Sequence, residues 1–398
     1  MSQAIPMKEN QSNMFGRTLY KNDEKYDWWL ICCVMILISL GLVMVASASI
    51  SIADPLGKED GVKLYYFWRQ VVALSIGFTG GIVALKTPLY LLKEFRYLFL
   101  FISFVLLVAV ISPLGKEVNG ASRWVDLGVY DLQASEITKL LLIIYLAGYM
   151  EKHLESVRTS FSGLYNPIIV MILICFLLLM EPDFGTSVLL FSSMLGMLFI
   201  AGVPLLRIIV WGSVAVMLLA SAALMSPYRL QRLLTYVDPW ADPFGAGFQL
   251  IQALIAIGRG EWFGVGLGSS VQKLFYLPEA HTDFIFSVFA EELGLFGCLS
   301  LIAVFSFFIW RVFYIAVQAE REGRYFPAFL AYGFGLLIGM QAFLNMGVNM
   351  GVLPTKGLTL PFISYGGNSM IMMCIATALI LRVDHETRMG NNYEGDEE

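Results

Sequence analysis

The stretch WWLICCVMILISLGLVMVASAS, residues 28–49, contains no charged residue. A helix of about 20 residues, rising 1.5 Å per residue, crosses the roughly 30 Å hydrocarbon core of a bilayer. Similar apolar stretches recur along the whole chain, whose 398 residues are 58% hydrophobic and only 14% charged. A soluble domain carries about a quarter charged residues. The composition therefore predicts a polytopic membrane protein.

We predict an all-α fold of about ten transmembrane helices. The apolar stretches are continuous rather than alternating, which favours helices over barrel strands, because lipid offers no partner to an unpaired backbone group. All five cysteines fall inside these stretches, so no disulfide framework or metal cluster is expected. The predicted spans are 28–49, 71–87, 97–112, 136–150, 166–181, 184–203, 206–225, 284–311, 328–349 and 365–382.

The distribution of basic residues predicts the orientation. An even number of spans places both termini on one side, and assigning that side to the cytoplasm puts more than half of the 26 Lys and Arg residues inside. Residues 1–26 and 384–398 are then solvated cytoplasmic tails of a membrane domain spanning 27–383. The long segment 226–283, between the seventh and eighth spans, becomes an extracytoplasmic loop. Loops of this length are usually functional or disordered. The aromatic, Gly and Pro residues of this loop favour an ordered structure that dips back towards the membrane.

Polar residues at the outer ends of the spans are the candidate functional groups, because charges at membrane depth are costly. In LPEAHTDFIFSVFAEELG, residues 277–294, Glu279, His281 and Asp283 precede an apolar helix. A helix-capping role alone could explain an acid at position 283. However, Ser287 and Glu291 follow it at helical spacing and extend a polar stripe along one helix face, which a cap does not require.

Three further groups of polar residues are predicted at the same depth in the membrane. The first is Arg123 with the helical pair Glu136 and Lys139, which could equally be a structural ion pair. The second is Arg229 and Arg232, in a loop whose aromatic residues could mark the membrane interface. The third is Lys356, near a helix predicted to begin at Ser364. Next to this third group, three amides recur every four residues and could simply join helices by hydrogen bonds: Gln341, Asn345 and Asn349.

This combination of side chains suits one kind of chemistry. Cations at the headgroup level fit an anionic lipid that carries a diphosphate. A carboxylate at the same height can act as general base on a substrate hydroxyl. Glycosyl transfer from a lipid diphosphate needs both, and it needs no nucleotide or redox cofactor. The sequence leaves open a divalent cation, Mg²⁺ or Mn²⁺, beside the diphosphate, and predicts no nucleic-acid partner.

Four blocks occurring in order resemble the SEDS family of shape, elongation, division and sporulation proteins. They are the Arg123-Trp124 to Lys139 block, the Arg229 to Pro239 loop, LPEAHTDFIF at 277–286 and PTKGLTLPFISYGG at 354–367. The resemblance covers residues 27–383, and the last two blocks are similar to the cell-division branch. It departs from the family at Ala134, where the family usually has proline.

The resemblance implies a peptidoglycan glycosyltransferase in the bacterial inner membrane, enriched at the division septum. It would polymerise lipid II and undecaprenyl-diphosphate-linked glycan on the outer face, with a class B penicillin-binding transpeptidase of the FtsI type and other division proteins. Carried over by position, the family's essential aspartate falls on Asp283. The expected substrate-binding residues are Arg69, Arg123, Glu136, Lys139, Arg229, Arg232, Glu279, His281, Lys356 and Ser364.

Two other functions use the same residues. A lipid II flippase would move this substrate without forming a bond, and a division scaffold would need no catalytic acid. The position of Asp283 at the outer edge favours an enzyme, because transporters typically place acids near the midplane and break helices there.

Overall fold

The computed structural model describes residues 26–52, 65–118, 121–126, 128, 131–224, 236–245, 247–274, 277–354 and 357–395. Ten of its helices follow the ten predicted spans, and six of these are long and apolar enough to cross a membrane. Short helices α3 and α6 join neighbouring spans, and α10 lies within the long loop. In chain order the helices are α1 (Trp28–Ile52), α2 (Tyr65–Lys86), α3 (Leu89–Glu94), α4 (Arg96–Ile111), α5 (Ala134–Lys152), α6 (Leu154–Thr159), α7 (Ser162–Met180), α8 (Phe184–Ile200), α9 (Leu205–Leu224), α10 (Phe248–Gly260), α11 (Ile285–Arg321), α12 (Tyr325–Asn349) and α13 (Gly367–Gly395).

Helix α12 is the centre of the bundle. It contacts α5, α8, α11 and α13, and most of its side chains are buried. Small residues allow close packing elsewhere: a Cβ on Gly77 of α2 would come within 3.0 Å of the Ile371 Cα atom in α13. Such contacts are typical of membrane helices, which gain little from apolar burial in lipid and associate by close packing.

A small antiparallel sheet precedes α5, in a region that the sequence predicts as loop. Its strands are β1 (Gly115–Val118), β2 (Ala121–Asp126) and β3 (Asp131–Gln133), in that order. Trp124 pairs with Lys116 on one side and with Gln133 on the other. The sheet therefore fixes the central strand β2, which carries Arg123, against the end of the bundle. Among the described residues it is the exception to the all-α fold.

The long loop is ordered in its described part and inserts into α11. Helix α11 is interrupted at Gly294, which has φ +66°, and segment 261–266 lies against the interruption. The backbone N–H groups of Val265 and Gly266 donate to the carbonyls of Glu291 and Glu292. In return, the N–H groups of residues 295 and 296 donate to the carbonyls of residues 261 and 262. The interruption separates a short N-terminal leg, residues 285–293, from the longer apolar part of α11.

Buried charges lie near the two ends of α1. At its start, Asp27 accepts hydrogen bonds from Leu30 N and Arg311 Nε. Near its end, Ser47 Oγ lies 2.8 Å from Glu292 Oε1, which also pairs with Lys273 Nζ at 2.8 Å. The two sites are separated by five to six helical turns, or about 30 Å, which is the thickness of a bilayer core. We call these levels the Asp27 end and the Asp283 end.

At the Asp27 end, α13 extends beyond its predicted boundary. The region from residue 384 was predicted as a solvated tail, but the helix continues to Gly395 and Asp384 is buried. The physical reason is a charge cluster: Asp384 pairs with Arg388 at 2.9 Å, and Arg388 also approaches Asp27 at 3.5 Å. Together with the pair between Asp27 and Arg311, these contacts join α1, α11 and α13.

We expect Asp27→Ala to destabilise the fold. The substitution removes the fully buried carboxylate that pairs with Arg311, whereas Arg388 keeps its pair with Asp384. Losing one partner of a buried ion pair costs about 3 kcal/mol or more. Glu151→Gln is the matched control, because its pair with Lys93 is partly exposed and such pairs contribute less than about 1 kcal/mol. Thermal unfolding in detergent measures both. Equal midpoints for the two variants would contradict the prediction.

Candidate active site

The turn that carries Asp283 is held by the carbonyls of three consecutive residues. The His281 carbonyl accepts from Tyr365 N at 2.9 Å, and the Thr282 carbonyl accepts from Ser364 Oγ at 2.6 Å. The Asp283 carbonyl accepts from both Asn345 and Asn349 side chains, at 2.9 Å each. Helix α11 begins at Ile285 with Phe284 as its N-cap. No capping bond is made by the Phe284 side chain, and a capping role of Asp283 stays an open alternative.

The amides of α12 form the interhelical hydrogen bonds that the sequence offered as one interpretation. Asn345 also donates to the Leu358 carbonyl at 2.6 Å, and Gln341 donates to the Thr359 carbonyl at 3.0 Å. Asn349 Oδ1 accepts from the N–H and the hydroxyl of Ser287, the first member of the predicted polar stripe. The three amides fasten the Asp283 turn and segment 357–360 to one helix. Both segments consequently share a fixed geometry.

The Asp283 carboxylate and the Arg123 guanidinium converge on Gly357. A Cβ at Gly357 would lie 3.1 Å from Asp283 Oδ2 and 3.8 Å from Arg123 Nη1. Asp283 is half-buried, so its side chain is not sealed among aliphatic neighbours. A carboxylate and a forked cation thus flank the same backbone position at the Asp283 end. This proximity joins residues 160 positions apart in the chain.

Arg123 is oriented by the short turn between α7 and α8. Its Nε donates to the Glu181 carbonyl at 3.4 Å, and its Nη2 donates to the Pro182 carbonyl at 2.6 Å. These bonds leave the Nη1 edge on the side of Gly357 and Asp283. Glu181 and Asp183 were not singled out from the sequence. The signal was available, because two acids stand in a connection of a few residues between apolar spans, where charges are costly.

Glu136 and Lys139 form the predicted ion pair, at 2.7 Å. Lys139 is only 1% exposed, and its Nζ also donates to Gln341 Oε1 at 3.0 Å. The pair is therefore connected to the amides that hold segment 357–360. This arrangement fits the structural alternative, and a substrate-binding role for the pair stays a prediction.

The His281 side chain lies among aromatic rings. Its ring centroid is 4.4 Å from that of Tyr66 and 5.7 Å from that of Tyr365, and burial lowers the pKa of His281. Arg69 lies on the exposed side of this cluster and donates to the Tyr65 hydroxyl at 2.9 Å. Their predicted contact with substrate is untested.

The other predicted residues divide into two sets. Glu279 is exposed and accepts from Thr282 Oγ1 at 2.7 Å, whereas Ser364 is buried and bonds Leu360 N as well as the Thr282 carbonyl. Both shape the turn around Asp283. Arg229, Arg232 and Lys356 lie outside the described residues.

The polar stripe that begins at Asp283 ends in a buried network around Glu291. Glu291 accepts from Ser270 Oγ at 2.5 Å, from Val271 N at 3.1 Å and from Arg259 Nη1 at 3.3 Å. The Ser270-x-x-Lys273 pattern, which resembles a penicillin-binding protein motif, is therefore part of a structural network with Glu291 and Glu292. These contacts hold the long loop on the N-terminal leg of α11.

We expect Asn349→Leu to weaken both stability and function. The change leaves the Ser287 hydroxyl without its acceptor, and a buried unsatisfied group costs about 1–3 kcal/mol. The Ser287 N–H keeps its bond to the Phe284 carbonyl. It also removes one of the two donors to the Asp283 carbonyl. Ser193→Ala is the control, because its hydroxyl bonds only a carbonyl of its own helix. Thermal unfolding, with activity measured on the folded fraction, checks the prediction, and wild-type values for Asn349→Leu would contradict it.

Comparison with known proteins gives the family. Residues 27–389 match the family model for FtsW, RodA and SpoVE, described as cell cycle protein. Two relatives, each named probable peptidoglycan glycosyltransferase FtsW, come from Alkalilimnicola ehrlichii (52% identical over 372 residues) and Hahella chejuensis (49% over 366 residues); each match covers 92% of this chain and 91% of the relative.

Solved structures agree with this match. One chain, from a structure titled as coordination of polymerisation and crosslinking by a peptidoglycan synthase complex, has a TM-score of 0.72 at 32% identity and covers 91% of this chain and 98% of its own. The rod shape determining protein RodA of Thermus thermophilus has a TM-score of 0.65 at 28% identity, covering 91% of this chain and 97% of its own. The resemblance read from four short sequence blocks is confirmed, and the chain belongs to the FtsW/RodA/SpoVE family of cell cycle proteins, in its FtsW branch.

Proposed function

We propose that this protein is a peptidoglycan glycosyltransferase that polymerises lipid II into β-1,4 glycan strands. The observation that carries the proposal is the convergence of the Asp283 carboxylate and the Arg123 guanidinium on Gly357. One group can remove a proton and the other can hold a diphosphate, which are the two requirements of this transfer. The names of the FtsW relatives support the same activity.

The reaction forms one carbon–oxygen bond and breaks another. Asp283 takes the proton of the 4-hydroxyl on the acceptor's terminal N-acetylglucosamine, and that oxygen attacks the anomeric carbon of the growing strand. The bond between this carbon and the diphosphate breaks, and undecaprenyl diphosphate leaves with the electron pair. Displacement inverts an α-linked donor and gives the β-1,4 bond. Arg123, fixed by two carbonyls before substrate arrives, stabilises the departing charge without reorganising.

The site also constrains the place of the reaction in the membrane. Several membrane-spanning helices make this a multi-pass membrane protein, and its family is one of the bacterial inner membrane. We propose that the Asp283 end faces the outside and the Asp27 end the cytoplasm. Both termini would then be cytoplasmic, and 226–283 would be the extracytoplasmic loop. Enrichment at the division septum is part of the same proposal.

The proposed partner is a class B penicillin-binding transpeptidase of the FtsI type, together with other division proteins. Support comes from the structural relative whose title joins polymerisation to crosslinking in one complex. A transpeptidase would crosslink the strand that this protein extends.

The expected divalent cation stays a proposal. Within the described part of the chain no group of three or more His, Cys, Asp or Glu side chains could hold a metal ion. A bound Mg²⁺ typically keeps several waters and uses one or two carboxylates with substrate phosphates. The residues present therefore do not form a cage of their own, and a cation would depend on the diphosphate of the substrate.

A reconstitution separates the enzyme from a flippase and from a scaffold. Purified protein and its transpeptidase partner are placed in liposomes with lipid II, and two products are followed: glycan longer than the disaccharide, and lipid II that has crossed the bilayer. The proposal expects glycan that appears only when this protein is present. Transfer of lipid II without glycan would support the flippase and overturn the proposal. If neither product forms while the partner is still recruited normally, the result would support the scaffold and overturn the proposal.

A further inference from the structure

The Glu181 side chain is an exception among the buried acids of the described chain. It ends α7 and is only 1% exposed, yet neither carboxyl oxygen has a hydrogen-bond partner. Two other buried acids have several donors: Glu291 accepts from four groups, and Asp183 accepts from both the N–H and the hydroxyl of Thr186. A purely structural acid would be expected to have similar donors, because a buried unpaired charge is very costly.

The position of Glu181 points to its neighbour Arg123. The Glu181 backbone carbonyl accepts from Arg123 Nε, and the guanidinium also interacts electrostatically with the Glu181 carboxyl. The charged groups around Glu181 are Arg123 on β2, Asp183 at the start of α8, and Asp283 beyond the Nη1 edge of the guanidinium. Helix α5, which also packs on α7, contributes Glu136 and Lys139, which are paired with each other.

We propose that Glu181 is a positioning residue for Arg123, and that its uncharged carboxyl keeps the guanidinium available to a diphosphate. The inference rests on the proposed function only for the identity of that diphosphate. An ionised Glu181 would place a negative charge beside the cation and compete with an anionic ligand. A neutral Glu181 adds no negative charge beside the guanidinium, and the Asp183 side chain is held by its capping bonds to Thr186.

The electrostatics of the turn agree with this geometry. Burial raises the pKa of Glu181 to about 8, with a further increase from Asp183 and an opposing effect of Arg123. The carboxyl is therefore protonated at neutral pH and becomes negative as pH rises through about 8. Binding of a diphosphate at Arg123 should weaken over the same range.

The test measures binding of undecaprenyl diphosphate to the full-length protein in nanodiscs between pH 6.5 and 9.5. The negative charge of an ionised Glu181 opposes binding of an anion to the neighbouring cation, so we expect the wild-type Kd to rise on the order of tenfold between pH 7 and 9. Glu181→Gln should bind as the wild type does at pH 7 and keep that affinity at pH 9. The titration of the diphosphate itself is common to all variants and does not affect their comparison.

Two controls make the test decisive. Glu151→Gln, at the Asp27 end, should show the wild-type pH dependence. Thermal unfolding at each pH confirms that Glu181→Gln is folded; a Glu181→Met variant, also unable to ionise, replaces it if it is not. The same rise of Kd with pH in wild type and in the folded variant would overturn the inference, as would a wild-type Kd that does not change. Because the readout is binding, failure of glycan synthesis would count against the proposed function and not against this inference.

Discussion

Asp283→Asn should abolish glycan synthesis while leaving the protein folded. The substitution removes the only proposed base, and general base catalysis contributes about 10²- to 10⁴-fold in rate. The fold should survive, because the backbone carbonyl of residue 283, and not its side chain, accepts the bonds from Asn345 and Asn349. The measurement is polymerisation of lipid II by the reconstituted protein with its transpeptidase partner, together with thermal unfolding.

The matched control for this experiment is Asp126→Asn. Asp126 lies in the same half of the molecule, at the exposed end of β2, and its pair with Lys116 is loose at 3.9 Å. It should retain wild-type polymerisation. Binding of undecaprenyl diphosphate to Asp283→Asn should also be retained, since the cation is intact. Polymerisation by Asp283→Asn at more than half of the wild-type rate would show that another group accepts the proton of the acceptor hydroxyl.

Arg123→Lys should raise the KM for lipid II, although the charge is conserved. The guanidinium uses Nε and Nη2 on two carbonyls and still presents Nη1 towards Gly357, which a single ammonium cannot reproduce. Each charged hydrogen bond contributes about 1.5–3 kcal/mol, so losing one costs roughly ten- to a hundredfold in KM. Initial rates at varied lipid II concentration measure the change.

The chain provides a close control for Arg123→Lys. Arg207, at the Asp27 end, also donates to two backbone carbonyls, those of Arg158 and Thr159. Arg207→Lys should therefore lose similar backbone contacts without changing the KM. An equal effect of both substitutions would mean that Arg123 acts only through stability.

The sequence predicted the spans because apolar length is a local property. Helix α8, predicted as 184–203, is found at Phe184–Ile200, and most other spans agree within a few residues. Helix α11 is an exception, because it continues to Arg321, ten residues beyond its predicted end at 311. The predicted end of a helix is wrong where long-range contacts determine it, as in α13, which is extended by the charge cluster around Asp27. Likewise, the sheet around Arg123 depends on a register between strands of only a few residues, which no local pattern contains.

For the candidate site, the sequence identified Asp283 and Arg123 but could not place them together. Their approach depends on the amide bonds of α12 and on the turn at Glu181, both of which are contacts across the bundle. The sequence offered a signal for Glu181 in the two acids of the Glu-Pro-Asp connection, but it did not indicate a role for that residue. Its burial without hydrogen-bond partners appears only in three dimensions.

The interruption of α11 at Gly294 lets one helix serve two surroundings. Its long apolar part exposes Leu295, Phe296 and Leu299. Its short leg, next to Asp283, is anchored to α12 through the Asp283 carbonyl, and segment 261–266 bonds residues on both sides of the interruption. The glycine therefore allows the chain to change direction at the site, while a second segment braces the joint and fixes the position of the carboxylate.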